Sequence, residues 1–159
     1  MESDLRVIAV IVTYNNATML AKLIHDLLSQ TYPLDQIIVV DNSSTDSTLK
    51  LLKDSFPKLS YVRMNENTGS AGGYYEGIKA AHEACDLIWT LDDDVRLEKN
   101  SLEKLVEGLK ELDSTLKVSS VRSVGEGHPY TFPTRLEFFP WCGTLVPRHG
   151  KNSSLVGNV

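Results

Sequence analysis

The most constraining feature of the chain is a series of short, almost uninterrupted apolar runs separated by amphipathic stretches. Val7–Val12 (VIAVIV), Gln36–Val40 (QIIVV) and Leu87–Leu91 (LIWTL) each read as a strand buried on both faces, and Leu59–Met64 as a further strand. Between them, Leu20, Leu23, Ile24, Leu27 and Leu28 fall at helical spacing, as do Leu49, Leu52 and Phe56 before the helix-stopping Pro57. A glycine-rich turn from Gly69 to Gly73 leads into a helix through Ile78, Ala81 and Ala84. Leu102, Leu105, Val106, Leu109 and Leu112 make the clearest amphipathic helix. Such alternation predicts an α/β fold, with a mostly parallel sheet carrying helices on both faces. Beyond Val118 the pattern changes. Lys117–Val124, Arg135–Phe139 and Thr144–Val146 read as short strands, with a loop from Glu126 to Pro133. No repeat or linker interrupts the chain, and residues 1–159 are expected to form one domain.

In an open parallel sheet, ligands bind beyond the carboxyl ends of the strands. Here every strand delivers polar groups to that edge: Thr13-Tyr14-Asn15-Asn16, Asp41-Asn42-Ser43-Ser44, Asn65-Glu66-Asn67 with the glycine turn, and Asp92-Asp93-Asp94. Three successive carboxylates repel one another unless a cation sits among them. In an extended segment Asp92 and Asp94 face one way and Asp93 the other, so the first and third can share a Mn²⁺ or Mg²⁺ ion. The competing reading is a solvated acidic turn that caps the next helix.

Asp41 stands where a base or ribose would lie, and its carboxylate can accept from a ring N–H or a sugar hydroxyl. An N-cap is the alternative, although Ser43, Ser44 and Thr45 suit capping better. Tyr14 can pack against a base, or simply plug the gap between loop and helix. The glycine turn is not a P-loop, since no Lys-Ser/Thr follows at the required spacing. His25 and His82 are expected at the surface. No histidine has metal-ligand spacing to another, and no nucleophile–base arrangement stands out.

The 42% apolar and 23% charged content is that of a globular protein, and the net charge of −5 argues against a nucleic-acid partner. Cys85 and Cys142 are expected as free thiols in a reducing compartment. The apolar run after the charged N-terminus is too short for a signal core or a membrane span, so a cytoplasmic location is expected, at the membrane face in a longer form.

VIAVIVTYNN, QTYPLDQIIVVDNSSTDST, NENTGSAGGYYEGI and WTLDDDV occur in the order that resembles glycosyltransferase family 2, of the GT-A fold, and most resembles its galactofuranosyl- and rhamnosyltransferase-like branch. The likeness runs from Val7 to about Val95 and more faintly through PWCGTLVPR. It implies an inverting transferase acting on a nucleotide-diphosphate sugar, UDP- or dTDP-linked, with a glycan or lipid-linked acceptor, as in cell-wall or polysaccharide synthesis. Asp92 and Asp94 then match the D-x-D motif that holds Mn²⁺ or Mg²⁺, with Asp92 and Asp93 also among the nucleotide-sugar contacts. Asp41 matches the residue that recognises uracil or thymine. Thr13, Tyr14 and Asn15 flank the base, and Asn67, Gly72 and Gly73 lie beside the donor sugar and diphosphate. The general base of such enzymes follows a segment like WCGTLVPR. No acidic residue follows Glu137 here, so the base and the acceptor part are expected beyond Val159. Two rivals remain: a nucleotide-sugar-binding module without turnover, and a metal-dependent phosphotransfer enzyme. The second is disfavoured because such enzymes often carry a carboxylate after the first strand, where Tyr14-Asn15 stands.

Overall fold

The computed structural model describes residues 5–113, 121–122 and 144–147. The expected readings of Glu126–Pro133, Arg135–Phe139, Glu137 and Cys142 lie outside the described residues. In chain order the elements are β1 (Val7–Thr13), α1 (Ala17–Leu28), β2 (Gln36–Asp41), α2 (Thr48–Ser55), β3 (Ser60–Arg63), α3 (Gly69–Ala81), β4 (Leu87–Asp92), α4 (Ser101–Asp113), β5 (Val121–Arg122) and β6 (Thr144–Pro147). The sheet runs β3-β2-β1-β4-β6-β5. β3, β2, β1 and β4 are parallel, while β6 runs antiparallel to both β4 and β5.

Apolar residues on alternate sides of each strand build two cores. On one face Val7, Ala9, Ile11, Val39, Trp89 and Leu91 pack against α1, α2 and α4. Leu20, Leu23, Ile24 and Leu27 of α1 are all buried there. Full burial of such a side chain stabilises by about 1.5–3 kcal/mol, so this stripe fixes the helix more firmly than its intrinsic propensity does. Leu28, read from spacing as part of the stripe, instead points outward and is 61% exposed.

On the other face Ile8, Val10, Ile38 and Ile88 meet α3 through Ala81, Tyr74 and Ile78. α3 approaches unusually closely because its buried residues are small: Gly73, Gly77 and Ala81, spaced by four, form one stripe. A Cβ on Gly73 would lie 2.6 Å from Val12 Cγ1, and one on Gly77 would overlap Val10 and come within 3.0 Å of Val40 Cγ2. The helix begins at Gly69, where the glycine-rich turn was expected, and it ends at Ala81, before Ala84.

The registers bring the carboxyl ends level. Thr13 lies opposite Asp41, and Val12 opposite Asp92. The strand order reverses between β1 and β4, since β2 and β3 continue on one side of β1 and β4 lies on the other. That is where an open α/β sheet leaves a crevice.

Candidate functional site: a cavity at the ends of β1 and β4

A cavity of about 410 Å³ opens at this crevice, lined by Val12, Thr13, Tyr14, Asn42, Asn67, Gly69, Ser70 and Asp92 to Asp94. Its volume lies within the range of about 300–1,000 Å³ typical of small-molecule sites. Of the residues expected from sequence, Thr13, Tyr14, Asn67, Asp92, Asp93 and Asp94 line it. Asn15, Asp41, Gly72 and Gly73 do not.

The acidic run is not an extended segment. β4 ends at Asp92 and a turn begins at Asp93, with the Val95 N–H approaching the Asp92 carbonyl at 3.4 Å. Strand alternation therefore does not govern where these side chains point. Hydrogen bonds do. Asp93 accepts from the Thr13 hydroxyl at 2.6 Å, the Asn16 amide at 2.9 Å and, more distantly, the Tyr14 N–H at 3.4 Å. It ties β4 to the loop after β1. Asn16 stands at the N-cap of α1, yet its side chain serves Asp93 rather than capping. Asp46 approaches the start of α1 in its place, accepting from the Ala17 N–H at 3.3 Å while also accepting from Thr48 N–H at 2.9 Å.

Asp92 accepts from the Tyr74 hydroxyl at 2.8 Å. Burial raises the Asp92 pKa; the Tyr74 bond lowers it, and the neighbouring Asp94 and Asp93 charges raise it again, leaving it above the ordinary carboxylate value. Burial and the same three carboxylates push the Tyr74 hydroxyl far upward, so it stays a neutral donor. Among the described residues, no three His, Cys, Asp or Glu side chains form a metal-holding group. The lining instead offers Asp92 and Asp94, hard oxygen donors under mutual repulsion. That set fits a divalent cation which completes its shell with water and a phosphate-bearing ligand.

Asp41 is fully buried. One carboxylate oxygen accepts from the Ser44 N–H at 2.8 Å, and the other pairs with Arg63, whose second nitrogen donates to the Ser44 carbonyl at 2.8 Å. Asn15 adopts a left-handed conformation (φ 53°), and its side-chain oxygen accepts from the Thr45 and Asp46 N–H groups at 2.7 and 3.2 Å. It clips the β1 loop to the β2 loop. Tyr14 is left 47% exposed at the cavity.

Gly72 and Gly73, expected beside the donor, are used in packing. A Cβ on Gly72 would strike Thr68, and one on Gly73 would strike Val12. The lining at this point is Gly69 and Ser70. Asn42 was missed: its amide nitrogen donates to Asn67 Oδ1 at 2.8 Å and the Gly69 carbonyl at 3.0 Å, and its oxygen accepts from the Thr68 N–H at 3.0 Å. An amide that both donates and accepts, placed directly after a buried strand, was the available signal. His25 and His82 are exposed as expected, and Cys85 is buried, its thiol donating to the Ala81 carbonyl at 3.4 Å.

No helix among the described residues is long and apolar enough to cross a membrane. Residues 8–155 match the family described as Glycosyl transferase family 2. Galactofuranosyltransferase GlfT1 of Mycobacterium tuberculosis (strain ATCC 25618 / H37Rv) is 37% identical over 91 residues, which are 55% of this chain and 30% of that protein. Glycosyltransferase AglE of Haloferax volcanii is 30% identical over 139 residues, 84% of this chain and 43% of that one. The mannosyltransferase PcManGT from Pyrobaculum calidifontis, solved in complex with GDP-Man and Mn²⁺, aligns with a TM-score of 0.60 at 25% identity, covering 68% of this chain and 33% of its own. S. aureus TarS 1-349 in complex with UDP aligns with a TM-score of 0.61 at 22% identity, over 79% of this chain and 38% of its own, and shares the fold. The chain thus spans less than half the length of each of these relatives. The architecture is the GT-A fold of nucleotide-sugar transferases, and the chain belongs to glycosyl transferase family 2.

Proposed function

We propose that this chain carries the donor site of an inverting, metal-dependent glycosyltransferase that takes a UDP- or dTDP-linked sugar to a glycan or lipid-linked acceptor. The observation that carries the reading is the cavity itself. It has three carboxylates, Asp92 to Asp94, an exposed tyrosine and the start of α3 around a single volume at the strand-order reversal. The Mn²⁺ and GDP-Man of PcManGT support a nucleotide sugar with a divalent cation in such a site.

In this reading residues 1–159 act as a single donor-binding unit. The exposed ring of Tyr14 offers a face to the base. Asn67, Gly69 and Ser70 form the wall nearest the diphosphate, where the N-terminus of α3 favours negative charge. Asp92 and Asp94 hold Mn²⁺ or Mg²⁺, which when bound supplies positive charge to the departing diphosphate. Attack on the anomeric carbon is in line and inverts it, with the acceptor proton passing to a carboxylate base that we assign to none of the described residues. Pyrimidine recognition by Asp41 is part of the proposal, and it requires Arg63 to share or leave the carboxylate oxygen it now occupies.

Calorimetric titration of UDP, dTDP, GDP and ADP, each with and without Mn²⁺, tests the assignment. UDP or dTDP should bind most tightly, and Mn²⁺ should tighten them. Because coupling is reciprocal, the nucleotide must tighten Mn²⁺ by the same factor. Metal-independent binding with no base preference would reject the reading.

A further inference from the structure

Tyr74 lies in the second turn of α3, outside the cavity lining, and its ring packs with Ile78 against the Ile8, Val10 and Ile38 core. Its hydroxyl donates to Asp92 Oδ1 at 2.8 Å. A phenol has a single proton to donate, and an ionised carboxylate only accepts. The contact therefore anchors one oxygen of Asp92 to α3 and leaves the other for the cavity. How far the hydroxyl reaches is set by how deeply α3 sits, and the stripe of Gly73 and Gly77 against Val12 and Val10 sets that depth.

We propose that Tyr74 is a positioning residue that restricts Asp92 to one-oxygen presentation and so biases the site toward small, octahedral cations. This rests on the donor-site reading above. Mg²⁺ demands near-ideal octahedral geometry, whereas Ca²⁺ accepts six to eight oxygens and bidentate carboxylates. A carboxylate held at one oxygen by a hydrogen bond is restrained from turning to close around an ion with both. With the pin removed, Asp92 is free to rotate and chelate, which suits the larger ion. Hydrogen bonds made to the ligating groups of metal sites commonly change affinity by about 10–100-fold when removed.

The test is calorimetric titration of UDP into the full chain with Mn²⁺, Mg²⁺, Ca²⁺ or no metal, for wild type, Tyr74→Phe and Tyr74→Leu. Phe keeps the ring that packs against β1 and loses only the hydroxyl. The expected result is a drop of about tenfold in the factor by which Mn²⁺ or Mg²⁺ tightens UDP, with the Ca²⁺ factor preserved or raised, so that the ion preference shifts toward Ca²⁺. Tyr74→Leu should show the same shift, with an added loss of thermal stability from the missing ring. A purely structural role scales all arms together and leaves the ion preference as in wild type, and that outcome overturns the inference while the donor-site reading stands. Absence of metal coupling in wild type overturns both.

Discussion

The Thr13 hydroxyl donates to the Asp93 carboxylate at 2.6 Å, joining the carboxyl ends of β1 and β4 where the order of strands reverses. Two strands far apart in sequence are thereby locked at the mouth of the cavity. The middle member of the acidic run is tied into the scaffold, and in the proposed reading its neighbours Asp92 and Asp94 are left to the ligand.

This division separates Asp93→Ala from Asp94→Asn. Asp93 accepts from Thr13 and Asn16, and Thr13 is almost fully buried. Loss of hydrogen bonds to a charged group should cost about 1–3 kcal/mol of stability. Asp93→Ala should lower the urea midpoint and weaken UDP with and without metal alike, because the Tyr14 loop loses its anchor. Asp94→Asn should spare the midpoint and reduce only the metal-dependent part. Urea unfolding of both variants, followed by UDP titration, decides it; a wild-type midpoint for Asp93→Ala would remove Asp93 from the scaffold.

The glycines of two helices should answer oppositely to alanine. At Gly77 a new Cβ meets Val10 and Val40, both stiff at χ1 and rooted in the sheet. Overpacking of this kind costs about 1–3 kcal/mol, which exceeds the gain of about 1 kcal/mol from replacing a helical glycine. At Gly108 in α4 nothing lies within 4 Å of the new atom. Gly108→Ala should therefore raise the melting temperature while Gly77→Ala lowers it. Equal responses would mean that α3 does not sit as close to β1 as described.

Acid should weaken the tie between α1 and the segment after the acidic run. Asp26 accepts from Arg96 at 2.6 Å and from the Leu97 N–H at 3.1 Å. Burial pushes the Asp26 carboxyl up, but the Arg96 hydrogen bond, the Leu97 N–H and the Arg96 charge outweigh it, so its pKa lies below the ordinary value. A carboxyl depressed in the folded state stabilises fully above its unfolded pKa of about 3.9, and that contribution is lost as pH falls toward the folded value. Arg96→Gln should thus be less stable than wild type at neutral pH, and the gap should close below about pH 4. Denaturant midpoints across that range check the sign: a gap that widens in acid would contradict it.

The parts of this molecule that were legible in sequence are those fixed by burial. VIAVIV, QIIVV and LIWTL are buried on both sheet faces, so their apolar runs announce β1, β2 and β4 and the edge to which Thr13, Tyr14, Asn67 and the aspartates are delivered. The exposed edge strand β3 carries no such run, and its expected bounds, Leu59–Met64, are one residue too wide at each end. The roles of Asp93, Asn15 and Asp41 depend on partners brought in by the fold: Thr13 for the first, Thr45 and Asp46 for the second, Arg63 for the third. Local alternation could not foresee a turn held by a hydroxyl 80 residues away. Gly73, Gly77 and Ala81 show a missed regularity, since spacing by four among small residues signals close helix–sheet packing, whereas a cluster of glycines suggests a ligand loop.

Asp41 and Arg63 make an asymmetric pair. The Asp41 side chain is 0% exposed and that of Arg63 is 36% exposed. Removing either partner breaks the same contact, but what is left behind differs. In Arg63→Ala a buried carboxylate keeps only the Ser44 N–H, and an uncompensated buried charge of this kind costs about 3–5 kcal/mol. In Asp41→Ala the guanidinium is left partly in water and still donates to the Ser44 carbonyl, so the loss should be nearer about 1–3 kcal/mol. Arg63→Ala should be the less stable of the two in urea. The reverse order would show that Asp41 is held mainly by the loop after β2. The same two proteins probe base recognition. If Asp41 accepts from a pyrimidine N–H once Arg63 yields, Asp41→Ala should erase the preference for UDP over ADP, while Arg63→Ala should retain it wherever the chain is still folded. Preference surviving in Asp41→Ala would assign the base to Tyr14 and the cavity walls, with Asp41 confined to holding the end of β2.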